Sequence, residues 1–364
     1  MPADKSTFFG LRKGNMRFRE KLIICAAVIV ISACPATARE IIVNAVGDIM
    51  LSGSGAVTCK RLGYDYPFAA TTAELKKGDI AIGNLESPIA GGGREFTNKK
   101  FRYRSEPQAA TALKNAGFSI VTLANNHMMD FGATAMEETR QYLDRAGIGC
   151  TGAGASLATA RRGAIITVGG MKVAFLAYSL TLPDDFYATA TRAGTAPGLG
   201  RYYRQDIAAA RKVADYVLVS FHWGTESTAM PRPYQVTAAH RAIDAGADVV
   251  IGHHPHVLQG IERYKNGVIF YSLGNFAFGT TSRSSDRSVI ARITMENGVK
   301  GVELLPLNVL NRDVHYQPKL LSGNEGQKVI DHLTRISRKW KTTVTASGGH
   351  YLVEMENPER LARK

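Results

Sequence analysis

The chain has 364 residues, of which 45% are hydrophobic, so it is long and apolar enough to build a substantial core. This composition excludes an intrinsically disordered chain as the default. The formal net charge of +14 favours contact with acidic substrates, anionic polymers or an anionic membrane surface. A Lys/Arg-rich block interleaved with aromatic residues does not stand out, so we expect no nucleic-acid partner.

The N-terminus has the pattern of an export signal. Basic residues within 17–21 precede an apolar stretch over 22–33, which is shorter than the roughly 20 residues that a membrane-spanning helix needs. Small residues at 36–38 predict cleavage of a signal peptide at 1–38, whereas the residues before Cys34 resemble a lipobox that would lipidate this cysteine. We therefore expect an exported protein, periplasmic or associated with the cell envelope. Membrane contact through an N-terminal anchor stays open.

Residues 39–345 are predicted to form the mature domain, and residues 346–364 a C-terminal tail. Only Cys59 and Cys150 remain in that mature chain, and an oxidising compartment would allow them to pair. Two unpaired thiols are the alternative, because sequence separation does not fix the distance between two residues. No Cys-x-x-Cys spacing occurs, so a thiolate zinc site is not expected.

Apolar segments that end in polar residues recur along the mature chain. They are 41–46 before Asp48, 80–82 before Glu86, 120–124 before Asn126, 216–221 before His222, 247–251 before His253, and 268–273 before Asn275. Such segments are typical of buried strands in an α/β sheet, whose ligands bind beyond the carboxyl ends of the strands. The six strand ends therefore predict one convergent site.

Helices and hairpins are predicted between and after these strands. Ser105 to Gln108 has the form of a capping box that would start a helix ending near Asn115. The other predicted helices span 132–146, 205–214, 233–245 and 327–340. Hairpin turns are predicted at 169–170, 266–267 and 297–298. This alternation predicts an α/β fold with mixed sheets and helices outside them.

Five motifs follow one another along the chain: Gly-Asp48, Asn84-Leu-Glu86, Asn125-Asn126-His127, His222-Trp-Gly and Gly252-His-His-Pro-His256. Their order resembles the CapA family of capsule-synthesis (poly-γ-glutamate biosynthesis) proteins, over roughly residues 41–306. The resemblance implies a metallophosphatase-like four-layer α/β/β/α sandwich with mixed sheets. The Asn-His pair and the histidine cluster are also similar to signatures of calcineurin-like phosphoesterases.

The same resemblance implies one or two divalent metal ions, of which Mn, Fe, Zn and Mg are the candidates. The implied ligands are Asp48, Glu86, Asn126, His222, His254 and His256, with Glu226, His253 and Asn275 as further candidates. Two departures from the phosphoesterase pattern bear on the number of metals. Met50 replaces the histidine of an Asp-x-His motif, and the histidine cluster contains one residue more than Gly-His-x-His. Because a thioether is a poor ligand for a hard divalent metal, a single ion is the alternative.

A metal centre of this kind polarises phosphoryl oxygens and lowers the pKa of bound water. His127 would then serve as general acid, and Asp130 would orient its imidazole. We therefore expect a hydrolase that acts on a phosphoester or related bond of a phosphorylated substrate or an acidic polymer. The alternative is a non-catalytic accessory protein that works with the envelope machinery for polymer assembly or export. The structural alternatives are a turn cap for Asp48, a charge at a helix N-terminus for Glu86 and a purely structural His253.

Overall fold

The computed structural model describes residues 40–279 and 281–354. The predicted signal peptide, the alternative lipidation site at Cys34 and residues 355–364 of the predicted tail lie outside the described residues. Within the described ranges, no helix combines the length and the apolar character needed to cross a membrane.

The described strands, in chain order, are β1 (Ile41–Ile49), β2 (Ile80–Leu85), β3 (Ile120–Thr122), β4 (Gly149–Thr151), β5 (Ala153–Gly154), β6 (Ala164–Val168), β7 (Met171–Ser179), β8 (Gly194–Thr195), β9 (Tyr216–His222), β10 (Val249–His253), β11 (Ile261–Tyr264), β12 (Gly267–Phe270), β13 (Arg287–Met295), β14 (Val299–Asn308), β15 (Lys319–Leu320), β16 (Thr343–Ser347) and β17 (His350–Glu354). The described helices are α1 (Ser54–Leu62), α2 (Thr72–Leu75), α3 (Gln108–Ala116), α4 (Gly132–Arg145), α5 (Leu157–Ala160), α6 (Gly200–Ala210), α7 (Pro233–Asp244), α8 (Asn311–Val314) and α9 (Gly323–Ser337).

Most of these strands form two mixed sheets. The nine-stranded sheet has the order β16-β17-β14-β13-β1-β2-β3-β4, with β15 on β14, and the six-stranded sheet has the order β11-β12-β10-β9-β7-β6. Strands β1 to β4 run parallel to one another, and so do β7, β9, β10 and β12. The other neighbours in both sheets are antiparallel. Each sheet therefore presents a row of parallel carboxyl ends.

The two sheets pack face to face, with helices on their outer faces. Val43 of β1 and Phe175 of β7 belong to one buried cluster between the sheets. A second cluster joins the nine-stranded sheet to α3 and α4 through residues such as Leu113, and a third joins the six-stranded sheet to α6 and α7 through residues such as Ile207. Each fully buried side chain of this size contributes about 1.5–3 kcal/mol to folding. The layers are helix, sheet, sheet and helix, so the predicted α/β/β/α sandwich is confirmed.

The local predictions succeed in part. All three predicted hairpin turns connect antiparallel strand pairs. The predicted capping box is wrong, because α3 begins at Gln108 without a side-chain cap. Ser105 instead contacts Ser87, with 2.8 Å between their hydroxyl oxygens. This bond ties the loop after β2 to the residues just before α3.

The predicted boundary at residue 345 falls inside a hairpin. Strands β16 and β17 pair from Thr343 to Glu354, and Leu352 pairs with Glu303 of β14. Gly348 and Gly349 have φ values of 58° and 84°, which glycine adopts without a steric penalty. Residues 346–354 thus extend the main sheet.

Both described cysteines are free, so the alternative of unpaired thiols holds in this structure. Cys59 is buried in α1, and this burial raises the pKa of its thiol to about 11. A thiol with so high a pKa is a packing group rather than a nucleophile.

Candidate metal centre and active site

The site lies where the carboxyl ends of parallel strands from both sheets meet. Asp48 is near the end of β1 and Glu86 directly follows β2, whereas His222 and His253 end β9 and β10. The Asp48 amide donates to the Gly274 carbonyl oxygen at 3.0 Å, which joins β1 to the segment after β12. Chain segments that are far apart in sequence therefore converge at one edge.

Two glycines permit this convergence. A Cβ atom at Gly47 would lie 2.0 Å from the Gly274 carbonyl oxygen, and one at Gly252 would lie 2.0 Å from the Tyr271 carbonyl oxygen. Real side chains never approach a backbone so closely, so only glycine fits at either position. The glycines before Asp48 and His253 thus set how near these two side chains come.

Two overlapping groups of side chains have the spacing of metal ligands. One consists of Asp48, Glu86 and His222, and the other of Glu86, His254 and His256; within each group the ligand atoms lie within 4.8 Å of one another. Glu86 belongs to both, with its Oε1 atom 3.3 Å from His222 Nε2 and 3.7 Å from His256 Nε2. A carboxylate shared in this way would be a ligand in either group.

Asp48 lies at the centre of the histidine cluster. Its Oδ1 atom is 3.1 Å from His253 Nδ1, and its Oδ2 atom is 3.2 Å from His256 Nδ1. Asn84 Nδ2 donates to Oδ1 at 2.9 Å, and the His254 amide donates to Oδ2 at 3.1 Å. Because its contacts run to other strand ends, the interpretation of Asp48 as a turn cap is wrong.

Most of the other sequence-predicted residues join this cluster. Asn126 Oδ1 lies 2.9 Å from His222 Nε2, and Asn275 Oδ1 lies 2.9 Å from His256 Nδ1. Glu86 is followed by a loop that reaches α3, so it is not a charge at a helix N-terminus. The structure thus brings Asn126, Asn275 and His253 to the five residues of the two ligand groups.

Glu226 stands apart from this cluster. It is exposed in the loop after β9, and it lines a cavity of about 560 Å³ together with Leu182 and His254. Its negative charge acts electrostatically on Glu86. Glu226 therefore sits at the mouth of the site, where it can influence a substrate but does not contact the buried carboxylates.

Burial sets the protonation states of the histidines. Burial and repulsion by His256 lower the pKa of His254 to about 3, and burial also holds the pKa of His222 well below its usual value. Both imidazoles are then neutral, with a lone pair available for a metal. For His256, attraction to Glu86 and Asp48 outweighs the effect of burial and raises the pKa to about 10.

The two carboxyl groups respond to burial in opposite ways. Burial disfavours the charged form of Asp48, but hydrogen bonds from His253 and His256 outweigh it and hold the pKa well below the usual range. Burial and the charge of Asp48 raise the pKa of Glu86 well above its usual value. Glu86 is therefore the carboxylate that lacks sufficient positive charge around it.

The orphaned atoms show that a cation fits this site. Glu86 Oε1 and His254 Nδ1 are buried without a hydrogen-bond partner, a state that costs about 1–3 kcal/mol for each neutral group and more for a charged one. His254 and His256 have φ values of 92° and 57°, and such left-handed conformations are uncommon outside glycine. Carboxylate oxygens and neutral imidazoles are suitable ligands for divalent metals, and a cation beside His256 would displace the proton that its raised pKa retains. The donor set therefore fits the implied metal ions.

His127 lies beside the cluster in a hydrogen-bonded group. Its Nδ1 atom is 2.6 Å from Asp130 Oδ2 and 2.9 Å from Lys99 Nζ. Lys99 also donates to Asp130 Oδ1 at 2.7 Å and to the Asn126 carbonyl oxygen. As an N–H group Nδ1 donates to Asp130, and as a lone pair it accepts from Lys99. Burial lowers the pKa of His127, so its imidazole favours the neutral form.

Lys99 is not among the residues predicted from the sequence, and Asn84 and Asn125 occur there within motifs without a predicted role at the site. Asn125 Nδ2 donates to Asn84 Oδ1 at 3.0 Å, and Asn125 Oδ1 accepts from the amide of His127 at 3.1 Å. These asparagines thereby fix Asp48 and His127 relative to each other. Lys99 lies in residues 94–104, which interleave basic and aromatic residues, so the expectation that no such block stands out is wrong.

Comparisons with known proteins agree with the motif order. Residues 42–280 match the family described as bacterial capsule synthesis protein PGA_cap. The chain is 32% identical to the capsule biosynthesis protein CapA of Bacillus anthracis, over 82% of this chain and 77% of that protein. It is 35% identical to a probable polyglutamine synthesis accessory protein of Mycobacterium tuberculosis, over 72% of this chain and 73% of that protein.

Among solved structures, the chain is similar to a calcineurin-like phosphoesterase of Bacillus subtilis. That structure is 14% identical, with a TM-score of 0.44 over 82% of this chain and 97% of the other. The NAD nucleotidase of Haemophilus influenzae is also 14% identical, with a TM-score of 0.46 over 82% of this chain and 63% of the other. The family match covers more than half of the chain and includes all the strand ends that build the site. This chain belongs to the bacterial capsule synthesis protein family PGA_cap.

Proposed function

We propose that this protein is an exported, metal-dependent hydrolase that cleaves a phosphoester or related bond during the synthesis of a cell-envelope polymer, with poly-γ-glutamate as the implied polymer. The observation that carries this proposal is the buried Glu86 carboxylate, which lies between two ligand groups with one oxygen left without a donor. Such an arrangement is costly unless a cation completes it. The names of the relatives support the polymer context.

Two divalent ions, or one, would be held by the residues already described. Glu86 with His254 and His256 would hold one, and Glu86 with Asp48 and His222 would hold the other. When bound, such ions polarise phosphoryl oxygens and lower the pKa of a water molecule. Mn, Fe, Zn and Mg all remain candidates, because the donors are a mixture of oxygen and imidazole nitrogen.

His127 would handle the proton of the leaving group. When Lys99 donates to Nδ1, the neutral imidazole carries its proton on Nε2. As Nε2 gives that proton to a leaving-group oxygen, Nδ1 takes one from the Lys99 ammonium, whose pKa is lowered by burial, so the imidazole stays neutral and Lys99 becomes a neutral amine. When the imidazole shifts to the other tautomer, Asp130 accepts from Nδ1. The two partners on one nitrogen thus allow His127 to alternate between giving and accepting a proton at Nε2.

The test is turnover of aryl phosphates by purified protein with added Mn²⁺, Fe²⁺, Zn²⁺ or Mg²⁺. We expect His127→Gln to lower turnover by about 10²–10⁴-fold with a poor leaving group, and by less with a good one, because general acid catalysis matters most when the leaving group needs a proton. His240→Gln is the matched control, since His240 lies on α7 and bonds to Glu262 away from the site. Equal losses in both variants, or unchanged turnover in His127→Gln, would rule out the general acid role.

A second candidate is a metal-free accessory protein for polymer assembly or export. Met50 favours it, because a thioether replaces an imidazole that would ligate metal in the phosphoesterase pattern. A folded protein that binds no divalent metal and turns over no phosphoester would support this candidate and refute the hydrolase. Export itself is tested by locating the mature N-terminus, which we expect at Arg39 after cleavage or at a lipidated Cys34.

A further inference from the structure

The loop of residues 91–104, here called the basic loop, lies directly on the rim of the site. The Phe96 amide donates to the Asp130 carbonyl oxygen, and the Tyr103 amide donates to Asp130 Oδ2, both at 2.8 Å. The ring centroid of Tyr103 is 4.9 Å from that of His127. Because Asp130 and His127 anchor both sides of the loop, its outer surface has a fixed position beside the site.

This loop is strongly cationic. Residues 94–104 contain five basic residues, which are Arg94, Lys99, Lys100, Arg102 and Arg104, and one acidic residue, Glu95. Three of the five have partners nearby: Lys99 pairs with Asp130, Arg102 pairs with Glu95, and Arg104 donates to the Gly92 carbonyl oxygen. Arg94 and Lys100 are exposed, and within the described part of the chain neither forms an ion pair. They are the charges available to an anionic partner.

The aromatic residues of the loop indicate which class of anionic polymer fits it. Phe96 packs edge-on against Phe186, and Tyr103 packs against His127, so both rings are partly covered by the protein. Phe101 alone is open among the three, with 56% of its surface exposed and the Lys100 ammonium 5.2 Å from its ring. Binding of single-stranded nucleic acid relies on several open rings for successive bases. One apolar ring among cations better suits a chain that alternates methylene groups with carboxylates.

The loop also adjoins the cavity at the mouth of the site. Lys99 Nζ lies 5.3 Å from the centroid of the Phe186 ring, in the segment that follows Leu180 and Leu182. Those two leucines line the cavity of about 560 Å³ that reaches His254. A chain lying along the basic loop would therefore meet a partly apolar opening that leads to the histidine cluster.

We propose that the basic loop is the docking surface for a linear polycarboxylate, with Arg94 and Lys100 holding its carboxylates and Phe101 its methylene groups. This rests on the proposed function, since it assigns a binding surface to the polymer that is implied there. Electrostatic attraction between the loop and the polymer raises the local concentration of the polymer at the cavity. A charged rim thereby increases the rate at which a ligand reaches the neighbouring site.

The experiment measures binding of fluorescently labelled poly-γ-glutamate to the mature chain by anisotropy, which needs no turnover. Arg94→Glu/Lys100→Glu is compared with Lys212→Glu/Lys319→Glu, which makes the same change in net charge at exposed positions outside the loop. We expect at least about tenfold weaker binding for the loop variant and less than about twofold for the control, with the difference lost in about 1 M salt because screening shortens to roughly 3 Å. Thermal melts confirm that both variants fold.

Three results would overturn the docking proposal: no binding by the wild-type protein, equal weakening in the two double variants, or tighter binding of a single-stranded oligonucleotide of equal charge than of poly-γ-glutamate. The proposed function is judged separately, by phosphoester turnover of the wild-type protein. Polymer binding without turnover would keep the docking surface and refute the hydrolase, whereas turnover without polymer binding would do the reverse.

Discussion

Two clusters of charge in the nine-stranded sheet, one partly buried and one fully buried, differ in how their carboxylates are neutralised. At the antiparallel side, Arg292 donates to Glu303 Oε2 at 2.9 Å and to Glu74 Oε2 at 2.8 Å, and its Nε atom donates to Asn44 Oδ1 at 3.2 Å. At the parallel carboxyl ends, Glu86 has a buried oxygen with no donor. The first cluster is complete within the protein, and the second is not.

The pKa shifts of the two clusters point in opposite directions. Burial raises the pKa of Glu74, but hydrogen bonds from Lys77 and Arg292 outweigh it, so the pKa is lowered. The pKa of Glu86 is raised by burial and by Asp48. Among the residues that the structure describes, an arginine pairs with Glu74 and Glu303 but none with Glu86 and Asp48, which is the difference expected if a cation from outside completes the second pair. The difference between the clusters therefore separates a structural ion network from a binding site.

The largest effect is expected for Glu86→Gln, because Glu86 belongs to both ligand groups. We expect metal affinity to fall by more than about 100-fold, beyond the 10–100-fold typical of residues that only support a ligand. Isothermal titration with Mn²⁺ or Zn²⁺ measures this. Affinity within tenfold of the wild-type value would mean that Glu86 is not a shared ligand.

The same variant also tests how the charge of Glu86 affects stability when metal is removed. A carboxyl group whose folded pKa is raised contributes stability at low pH and loses it as the pH rises through that pKa. At pH 8 in EDTA we therefore expect Glu86→Gln to be more stable than the wild-type protein, by about 1–3 kcal/mol. Denaturant unfolding measures the difference, and a destabilised variant would show that Glu86 is structural.

Arg292→Met should destabilise the folded protein. Removal of the guanidinium leaves two carboxylates without their cation, and breaking such a pair in the interior costs about 3–5 kcal/mol, so about 2 kcal/mol is expected for side chains that are slightly exposed. Metal affinity should not change. Arg140→Met, which breaks a half-exposed pair with Glu137, is the control and should cost less than about 1 kcal/mol. Equal losses of unfolding free energy in the two variants would show that the ion pairs of Arg292 stabilise the protein no more than the exposed pair of Arg140.

Asn125→Ala tests whether the hydrogen bonds of Asn125 hold Asp48 and His127 in position. Asn125 bonds to Asn84, to the Leu85 carbonyl oxygen and to the His127 amide, so its loss should loosen Asp48 and His127 together. We expect metal affinity to fall by about tenfold, in the range of residues that orient ligands. Asn115→Ala, at an exposed contact with Asp65, is the control. Unchanged affinity would show that the strand backbone alone positions the ligands.

Glu74→Gln should have the smallest effect. Because the folded pKa of Glu74 is lowered, its charge stabilises the protein above the ordinary value of 4.5, and this contribution disappears as the pH falls through the folded pKa. We expect a loss of less than about 1 kcal/mol at pH 7 and a smaller loss at about pH 3, because protonation of the carboxylate removes its contribution progressively as the pH falls. Unfolding curves at the two pH values check this, and a pH-independent loss would contradict it.

The sequence predicted the parts of the site that follow buried strands. Asp48, His222 and His253 are identifiable because an apolar run ends in a polar residue, and parallel strands place such ends together. Lys99 could not be found in this way, because it reaches Asp130 from a loop whose path depends on tertiary contacts. Asn84 lies inside β2 and looks like an ordinary strand residue until its partners in β1 and after β3 are known.

The errors in the fold prediction have similar causes. The helix at α3 starts without its capping box because Ser105 is bonded to Ser87, a residue 18 positions away. The C-terminal hairpin was assigned to a tail, although Ser347-Gly348-Gly349-His350 is a turn pattern between alternating residues. Its pairing with β14 depends on Glu303 and Leu352, which no local pattern connects.

Anomalous diffraction from crystals of the protein soaked in Mn²⁺ or Zn²⁺, recorded at the absorption edge of the metal, would decide whether the parallel strand ends form a metal site. We expect a peak at about 2.0–2.2 Å from an oxygen of Glu86 and from imidazole nitrogens of His254 and His256, with a second peak near Asp48 and His222 if two ions bind. Anomalous density only at other places, or no anomalous density at a millimolar metal concentration, would contradict the claim that the strand ends form a metal site.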